Sequence, residues 1–476
     1  METICALATA PGGALGIIRV SGPQAFDAVS AICSVRCHDV APNTVHFTRI
    51  FAPTAEVPAS SLTNDQSVAL QSPAGHEALD EAMVSVFRAP HSYTGEDSVE
   101  ISCHGSRYIL NKVLELLIQQ GCRMANPGEY TMRAYLNGKM DLSQAEAVAD
   151  LIASSNKATH QMAMSQLRGH FSSKLAQLRE QLLKLTSLLE LELDFSDHED
   201  LEFADRSELL NLAKDIDTHI THLAKSFEIG QAIKQGIPVA IVGKTNVGKS
   251  TLLNALLKDD RAIVSDVHGT TRDTIEDTID INGITFRFID TAGIRQTSDE
   301  VEQIGIERTY AAIDKASIVI WMVDKEPSQE ELNKMSIRAE NKKLIIVRNK
   351  IDKIENTPFA IVKIPLIEIS AKHGTHLADL EQAIYEAADI SALPQSDFIV
   401  TNARHYDALT RAHAHLQRVL DGISPLTSSS SHFLTPPDLV AEDLRLTLDT
   451  LAEITGGEIT PNEVLGNIFK NFCVGK

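Results

Sequence analysis

A phosphate-binding loop in the middle of the chain restricts its fold more than any other feature. The sequence GKTNVGKST (243–251) has the pattern G-x-x-x-x-G-K-S and lies between the apolar runs PVAIV and LLNALL. Its glycines let backbone N–H groups wrap phosphate oxygens at a helix N-terminus. In this pattern Lys249 can reach the β- and γ-phosphates, and the Ser250 hydroxyl can hold Mg²⁺. The loop therefore predicts a nucleoside triphosphate site between a strand and a helix.

Three further motifs follow in chain order and predict that the nucleotide is GTP. DTAG (290–293) ends the strand-like run ITFRFI and places Asp290 to contact Mg²⁺ through water. NKID (349–352) ends the run KLIIVR, and Asp352 can accept hydrogen bonds from guanine N1–H and the exocyclic amine, which adenine lacks. SAK (370–372) supplies a guanine-contacting loop. Order and context together favour a Ras-like GTPase of the translation-factor-related class.

The catalytic group is less evident from these motifs. Ras-type proteins orient the attacking water with a Gln directly after D-x-x-G, and the chain has Ile294 there. Arg272 and Arg295 are candidate arginine fingers, although exposed arginines are common in switch segments. Asn246 in the phosphate loop could instead hold a monovalent cation, whose charge would do the work of an arginine finger.

The two ends of the chain differ from the middle in their pattern of strand-like and helical runs. Residues 1–120 mix strand-like and helical runs, which predicts an α+β domain. Apolar residues from Met164 to Leu189 recur at steps of three and four, which predicts one long helix, and a second helix follows from Leu209 to Phe227. Helical signals return after residue 398, so we expect a helical domain interrupted by an α/β domain, although two separate helical domains would give the same pattern. The predicted boundaries are 1–125, 126–236, 237–390 and 391–476.

Composition limits the class of partner and the compartment. The formal net charge of −21 means that nucleic acid cannot be held by bulk attraction, so a local basic patch or a partner is required. The six cysteines form no dense framework, which favours a reducing compartment. With no basic signal sequence and no apolar stretch of membrane length, we expect a cytoplasmic protein that does not enter a membrane. Metal sites at CSVRCH (33–38) or DFSDHEDLEFAD (194–205) are weaker interpretations than a helix end and a solvated turn.

Two further stretches are PGEYTMRAYLNGKMDLSQAEAVADLI (127–152) and the terminal FCVGK. With the GTPase motifs, they resemble the MnmE (TrmE) family of tRNA-modification GTPases over essentially the whole chain. The resemblance implies a multidomain α/β plus α protein: an N-terminal α+β domain that binds 5-formyl- or methylene-tetrahydrofolate and forms a homodimer, a discontinuous helical domain, and an inserted Ras-like α/β G domain. It implies GTP hydrolysis that needs Mg²⁺ and is activated by K⁺. It also implies a heterotetramer with an FAD-containing MnmG-type protein that adds a carboxymethylaminomethyl-type group to C5 of the wobble uridine of certain tRNAs.

The resemblance further implies the roles of individual residues. Glu302 matches the carboxylate that orients the attacking water, and Lys249 is the second residue expected to act in GTP hydrolysis. The residues from Cys473 to the chain end do not fit a prenylation box, and Cys473 has no obvious disulfide partner. Without the resemblance, Cys473 is interpreted as an inert thiol; the resemblance makes it a candidate for the modification site. The positions that match folate contacts are Arg19, Glu100, Lys139 and Lys476.

The implied metal and nucleotide ligands lie in the phosphate loop and the motifs that follow it. The magnesium ligands are Ser250 and Thr271. The potassium ligands are Asn246, Ser265, Val267 and Thr270. The implied GTP-binding set is Asn246, Val247, Gly248, Lys249, Ser250, Thr251, Ser265, Asp266, Val267, His268, Gly269, Thr270, Thr271, Asp290, Thr291, Ala292, Gly293, Asn349, Lys350, Asp352, Ser370, Ala371 and Lys372.

The chain departs from the family pattern in a few places, and two other functions compete. Residues 52–77 look like an inserted loop, and Ser265 and His268 differ from the residues usual in the potassium loop. A ribosome-assembly GTPase of the Era/Der kind would carry a KH-type domain or a second G domain, and the sequence shows neither signature. A folate enzyme with a regulatory G domain is the alternative from another class, and the intact Lys249, Ser250 and Asp352 favour turnover instead.

Overall fold

The computed structural model describes most of the chain, in two compact units. The first unit comprises Met1–Ile152, Gln166–Arg179 and Asp449–Lys476, and the second comprises Ala153–Ser165 and Glu180–Leu448. The described residues are 2–53, 76–194, 206–259, 277–289, 310–353, 365–389, 398–423, 436–457, 465, 468–470, 472 and 475.

A mixed sheet forms the centre of the first unit. Its strand order is β3-β4-β5-β2-β1-β6, with β1 and β6 parallel and the other neighbours antiparallel. Alternation of buried and half-buried residues on β2 turns Ile18 and Val20 into the core and leaves Arg19 on the other face. The strands are β1 (Ile4–Leu7), β2 (Leu15–Ser21), β3 (Thr44–Pro53), β4 (His76–Phe87), β5 (Ser98–His104) and β6 (Arg123–Met124).

Helices α1 (Ala25–Ile32) and α2 (Arg107–Gln119) cover the core face of this sheet. Gly121, with a φ of +90°, follows the end of α2, a conformation common after a helix C-terminus. Apolar side chains from both helices and from β2, β4 and β5 share one hydrophobic cluster, so the N-terminal segment has the α+β core that its sequence predicts.

A third layer of the first unit ties the end of the chain to α3 (Glu129–Leu136) and α4 (Leu142–Ala153). Leu465 and Phe469 are buried against Leu142 and Ala145 of α4, so this part of the chain end is packed. Gly128, with a φ of +67°, precedes α3, and a Cβ there would lie 2.8 Å from the Phe469 carbonyl oxygen. The close approach leaves room for no larger residue at this point.

The prediction of one long helix from Met164 to Leu189 is wrong. The chain forms α5 (Lys157–Leu167) and α6 (His170–Asp194), separated at Gly169, which has a φ of +80°. The Gln144 side chain donates from Nε2 to the Leu167 carbonyl at 3.0 Å and so satisfies the end of α5. The apolar period continues through the break, which is why the pattern alone missed it.

The second unit contains a predominantly parallel sheet with the order β12-β11-β10-β7-β9-β8, in which β8 is antiparallel to β9. Near-continuous apolar strands such as β10 are buried on both faces, as expected when helices cover a parallel sheet. The elements are β7 (Ile237–Gly243), α8 (Lys249–Asp259), β8 (Asp277–Ile281), β9 (Ile284–Phe288), β10 (Ile318–Val323), α9 (Gln329–Arg338), β11 (Lys343–Arg348), β12 (Leu366–Glu368) and α10 (Leu377–Ala387).

Helices from both sides of this sheet in sequence pack against each other. They are α7 (Arg206–Gln235) and α11 (Ala403–Ile423), and α12 (Pro437–Thr455) follows. The rings of Phe227 and Tyr406 stack with centroids 4.5 Å apart, and His413 Nδ1 lies 2.6 Å from Asp217 Oδ1. The discontinuous helical domain and its four boundaries stay a prediction.

Among the described residues, no helix combines the length and the apolar character needed to cross a membrane.

Candidate functional site

The carboxyl ends of three parallel strands bring the nucleotide motifs to one edge of the second sheet. The phosphate loop follows β7, Asn349 follows β11 directly, and Ser370 comes two residues after β12. Because β7, β10, β11 and β12 are parallel, their carboxyl ends share this edge. Motifs that lie more than a hundred residues apart in sequence are therefore neighbours.

Left-handed backbone shapes the phosphate loop. Asn246 has a φ of +61° and Gly248 a φ of +106°, with the buried Val247 between them. A Cβ on Gly248 would collide with the side-chain amide of Asn349. Glycine at 248 is thus required both by conformation and by the approach of the next motif, in agreement with the glycine rule of the loop.

Lys249 begins α8 and folds back over the phosphate loop. Its Nζ donates to the carbonyl oxygens of Gly243 at 2.7 Å and Lys244 at 2.9 Å. Partial burial lowers the pKa of the Lys249 ammonium below its ordinary value. Two of its N–H groups hold the loop, and an ammonium has three, so the group is placed to bind a phosphate oxygen as well. Ser250 and Thr251 follow in the first turn of α8.

The Asn349 side chain joins the phosphate loop to the 370 loop. It is 3% exposed, its Nδ2 donates to the Val247 carbonyl at 2.8 Å, and its Oδ1 accepts from the Ala371 N–H at 3.0 Å. One buried amide thereby fixes two loops that the sequence placed in the same site. Its contribution is to position the loops, since both ends of the amide are used by the protein.

Lys350 and Asp352 complete this edge. Lys350, with a φ of +67°, donates from Nζ to the Asn246 carbonyl at 2.6 Å. Asp352 Oδ1 accepts from the Ser370 hydroxyl at 2.7 Å, and this hydrogen bond holds the pKa of Asp352 below its ordinary value. The carboxylate is 26% exposed, so it is ionised and open to a base with two donor groups. Lys372, in the 370 loop, is exposed.

The remaining residues of the predicted nucleotide and metal site lie outside the described part of the chain, so their positions stay predictions. They include Glu302, expected to orient the attacking water, and the expected magnesium and potassium ligands apart from Asn246 and Ser250. They are Ser265, Asp266, Val267, His268, Gly269, Thr270, Thr271, Asp290, Thr291, Ala292, Gly293 and Glu302.

A second group of predicted residues meets on the sheet of the first unit. Arg19 of β2 and Glu100 of β5 are register partners, and the guanidinium donates to Glu100 Oε1 from Nε at 2.9 Å and from Nη2 at 2.6 Å. The rings of Tyr93 and Tyr130 lie 5.6 Å from the guanidinium carbon. Sequence reasoning missed both tyrosines, because no local pattern relates either one to Arg19.

The end of the chain reaches the same place. Arg19 Nη1 donates to the carbonyl of Gly475 at 3.1 Å. Gly475 has a φ of +94°, and a Cβ there would collide with the Leu7 carbonyl. Lys139, also predicted to contact folate, donates from Nζ to the Pro90 carbonyl at 2.9 Å. Cys473 and Lys476 fall outside the described residues.

Comparison with known proteins shows similarity to one family along the whole chain. Residues 3–139 match the family model for the GTP-binding protein TrmE N-terminus, and residues 142–473 match the model for the MnmE helical domain. A protein of Phocaeicola vulgatus named tRNA modification GTPase MnmE is 52% identical over 502 residues, covering 100% of this chain and 99% of that protein. A protein of the same name from Bacteroides fragilis is 51% identical over 494 residues, with coverage of 100% and 99%.

Solved structures resemble this chain weakly. A GTP-binding protein from the archaeon Sulfolobus solfataricus, in complex with GDP, is 20% identical, covers 44% of this chain and 67% of its own, and has a TM-score of 0.24, too low to support an argument. The assignment rests on the family models and on the full-length relatives. The chain is a GTP hydrolase and belongs to the MnmE (TrmE) family, whose curated members are named tRNA modification GTPases.

Proposed function

We propose that the chain hydrolyses GTP in a Mg²⁺-dependent, K⁺-activated reaction and, with an FAD-containing MnmG-type partner, helps to add a carboxymethylaminomethyl-type group to C5 of the wobble uridine of certain tRNAs. The observation that supports it most is the meeting of the phosphate loop, Asn349, Asp352 and the 370 loop at one sheet edge. Over its full length the chain also resembles relatives named for tRNA modification.

Base recognition falls to Asp352. Guanine presents two adjacent donors, N1–H and the C2 amine, and an ionised carboxylate offers two acceptor oxygens in the matching geometry. The Ser370 hydroxyl orients one of these oxygens. An adenine ring has an acceptor at N1 and no amine at C2, so it would leave both carboxylate oxygens without a donor from the base.

Phosphate binding falls to Lys249 and the N-terminus of α8. The ammonium donates to two carbonyls of the loop whose backbone N–H groups would surround the β-phosphate. Ser250 and Thr271 would hold Mg²⁺, which neutralises the charge that develops on the phosphate oxygens. Glu302 would orient the attacking water in place of the missing Gln.

The K⁺ ion would act where other GTPases use an arginine finger. The Asn246 carbonyl is bonded to Lys350, and its exposed side chain lies at the rim of the phosphate loop, so the amide oxygen is the atom it can offer to a cation. Ser265, Val267 and Thr270 would supply the other ligands. A cation there stabilises charge between the phosphates in the transition state.

A folate one-carbon donor would bind beside Arg19 and Glu100. The guanidinium is half-buried and flanked by two aromatic rings, an arrangement that suits a planar, polar ligand. The Gly475 carbonyl contact brings the chain end to this cluster, which supports a role for Cys473 and Lys476 in the modification. We propose that the first unit forms the homodimer and that the MnmG-type partner supplies FAD.

Nucleoside analysis of tRNA tests the proposal. A strain that lacks the gene should lose the modified wobble uridine, and the wild-type gene should restore it. The Cys473→Ser variant should fail to restore the nucleoside while its purified protein still hydrolyses GTP. Restoration of the modified nucleoside by Cys473→Ser would show that Cys473 is not needed for the modification. The same nucleoside profile in strains with and without the gene would contradict the proposed function.

Comparison of KCl with NaCl tests the role of the cation. At equal ionic strength, GTP hydrolysis should be faster in KCl, and Asn246→Ala should remove most of the difference. Equal rates in the two salts would show that no K⁺ takes part. If tRNA modification depended on folate and were unaffected by loss of GTP hydrolysis, the alternative of a folate enzyme with a regulatory G domain would be favoured.

A further inference from the structure

A tight hairpin connects β8 and β9 in the second unit. Its turn residues Asn282 and Gly283 have φ values of +54° and +83°, the signature of a type I′ turn, whose twist matches that of the strands. The Gly283 N–H donates to Asp280 Oδ1 at 2.7 Å. The tip of this hairpin is therefore fixed relative to its strands.

The first turn of α5 docks on that tip. The Ala158 N–H, which has no partner inside the helix, donates to the Gly283 carbonyl at 3.0 Å. Asn156 caps the same helix, since its Oδ1 accepts from the Thr159 N–H at 2.8 Å. Its Nδ2 donates to Thr285 Oγ1 at 2.7 Å. One side chain thus caps the helix with its oxygen and holds β9 with its nitrogen.

The contact between α5 and the β8–β9 hairpin is tightly packed. A Cβ on Gly283 would lie 2.9 Å from the Lys157 Cβ, so the two backbones are as close as glycine allows. Asn156 is 9% exposed, and Ala158 packs against the core of the sheet. Thr285 also faces Gly236, where α7 passes into β7, because a Cβ on Gly236 would lie 3.4 Å from the Thr285 Cγ2.

The position of the hairpin in the chain links it to the nucleotide. β8 begins at Asp277, six residues after Thr271, the last residue proposed to contact Mg²⁺ or K⁺, and β9 ends at Phe288, two residues before Asp290. β9 runs parallel to β7, so its last residue lies at the nucleotide edge and its tip at the opposite edge. Because the tip and the residues before Asp290 are the two ends of one short strand, a displacement of β9 along its axis would move both ends together.

We propose that the contact of Asn156 and Ala158 with Gly283 and Thr285 is a joint through which the nucleotide state of the second sheet reaches α5. The proposal rests on the proposed GTP site and adds the contact through which the γ-phosphate affects the structure outside that site. The joint is closed in the GDP state and loosened in the GTP state. Asn156 and Thr285 are positioning residues, since neither lies at the nucleotide edge.

Hydrogen exchange at the Ala158 amide measures the joint directly. With GDP bound, this amide should be protected by its bond to the Gly283 carbonyl, and with a non-hydrolysable GTP analogue it should exchange at least about fivefold faster. The reporter peptide covers residues 156–167. Equal exchange in the two nucleotide states of the wild-type protein would overturn the proposal.

Two variants separate the joint from simple helix stability. Thr285→Val removes the hydroxyl that Asn156 holds, and Asn156→Ser keeps a good helix cap but is too short to reach Thr285. Each should reduce the nucleotide-dependent difference to below about twofold while GDP affinity stays within about twofold of wild type. Thr278→Val makes the same change at an exposed position on β8 and should behave as wild type.

The outcomes are distinguishable from failure of the proposed function. A wild-type protein that binds no guanine nucleotide would refute the GTP site and the joint together. A protein that hydrolyses GTP normally but keeps the full exchange difference in both Thr285→Val and Asn156→Ser would refute the joint and leave the GTP site intact. Loss of the difference in Thr278→Val as well would show a general effect on the sheet, which also contradicts the joint.

Discussion

Replacement of Asn349 by alanine should damage the nucleotide site more than any other single polar truncation at this sheet edge. The wild-type amide donates to the Val247 carbonyl and accepts from the Ala371 N–H, and it is 3% exposed. Asn349→Ala leaves both backbone groups without this partner in a buried setting. Each lost bond costs about 1 to 2 kcal/mol, so the phosphate loop and the 370 loop together lose about 2 to 4 kcal/mol of organisation.

That loss divides between nucleotide affinity and protein stability. If all of it appears in binding, the Kd for GDP rises by a factor of roughly 30 to 700. Titration with a fluorescent GDP analogue measures the affinity, and urea unfolding measures the remainder as a lower free energy of unfolding. Asn333→Ala on α9 truncates an exposed Asn and is the matched control. A change of less than about twofold in Kd with unaltered stability would refute the bridging role.

Three other predictions concern the first unit. Burial raises the pKa of the Cys33 thiol from 9.0 to about 12, so above pH 9.0 the folded state keeps a proton that the unfolded state releases. The free energy of unfolding should therefore fall as pH rises above 9.0. Urea unfolding at two pH values should show a smaller fall in Cys33→Ala than in the wild-type protein. Gly169→Ala forces alanine into a left-handed conformation and should cost about 1 to 2 kcal/mol, seen as a lower Tm. Arg19→Ala should weaken tetrahydrofolate binding by about tenfold or more in calorimetry, whereas Arg49→Ala, which removes a similar cross-strand pair with Glu81, should not.

The nucleotide edge could be predicted from sequence because each of its motifs follows an apolar strand. Parallel strands bring their carboxyl ends together, so a motif after β7 and another after β11 had to meet. The bridging role of Asn349 could not be predicted, since it depends on the separation of two loops and on the burial of the amide between them.

The breaks and long-range contacts of the first unit were beyond local patterns. The apolar repeat runs unbroken across Gly169, and the helix ends there because Gln144, from a different helix, satisfies the Leu167 carbonyl. Arg19 and Glu100 were singled out only by resemblance, and their pairing follows from the register of β2 with β5. The two tyrosines beside Arg19 carry no sequence signal of their own, because one precedes β5 and the other lies on α3, and only tertiary packing brings them to Arg19.

The most direct test of the guanine site exchanges the base that it accepts. Xanthine carries a carbonyl at C2 where guanine has an amine, so Asp352→Asn can accept from N1–H through Oδ1 and donate to that carbonyl through Nδ2. The measurement is kcat/KM for GTP and for XTP with both proteins. We expect the wild-type protein to prefer GTP by about a hundredfold or more and Asp352→Asn to prefer XTP. Unchanged preference for GTP in Asp352→Asn would show that Asp352 does not read the base, and would contradict the account of the site.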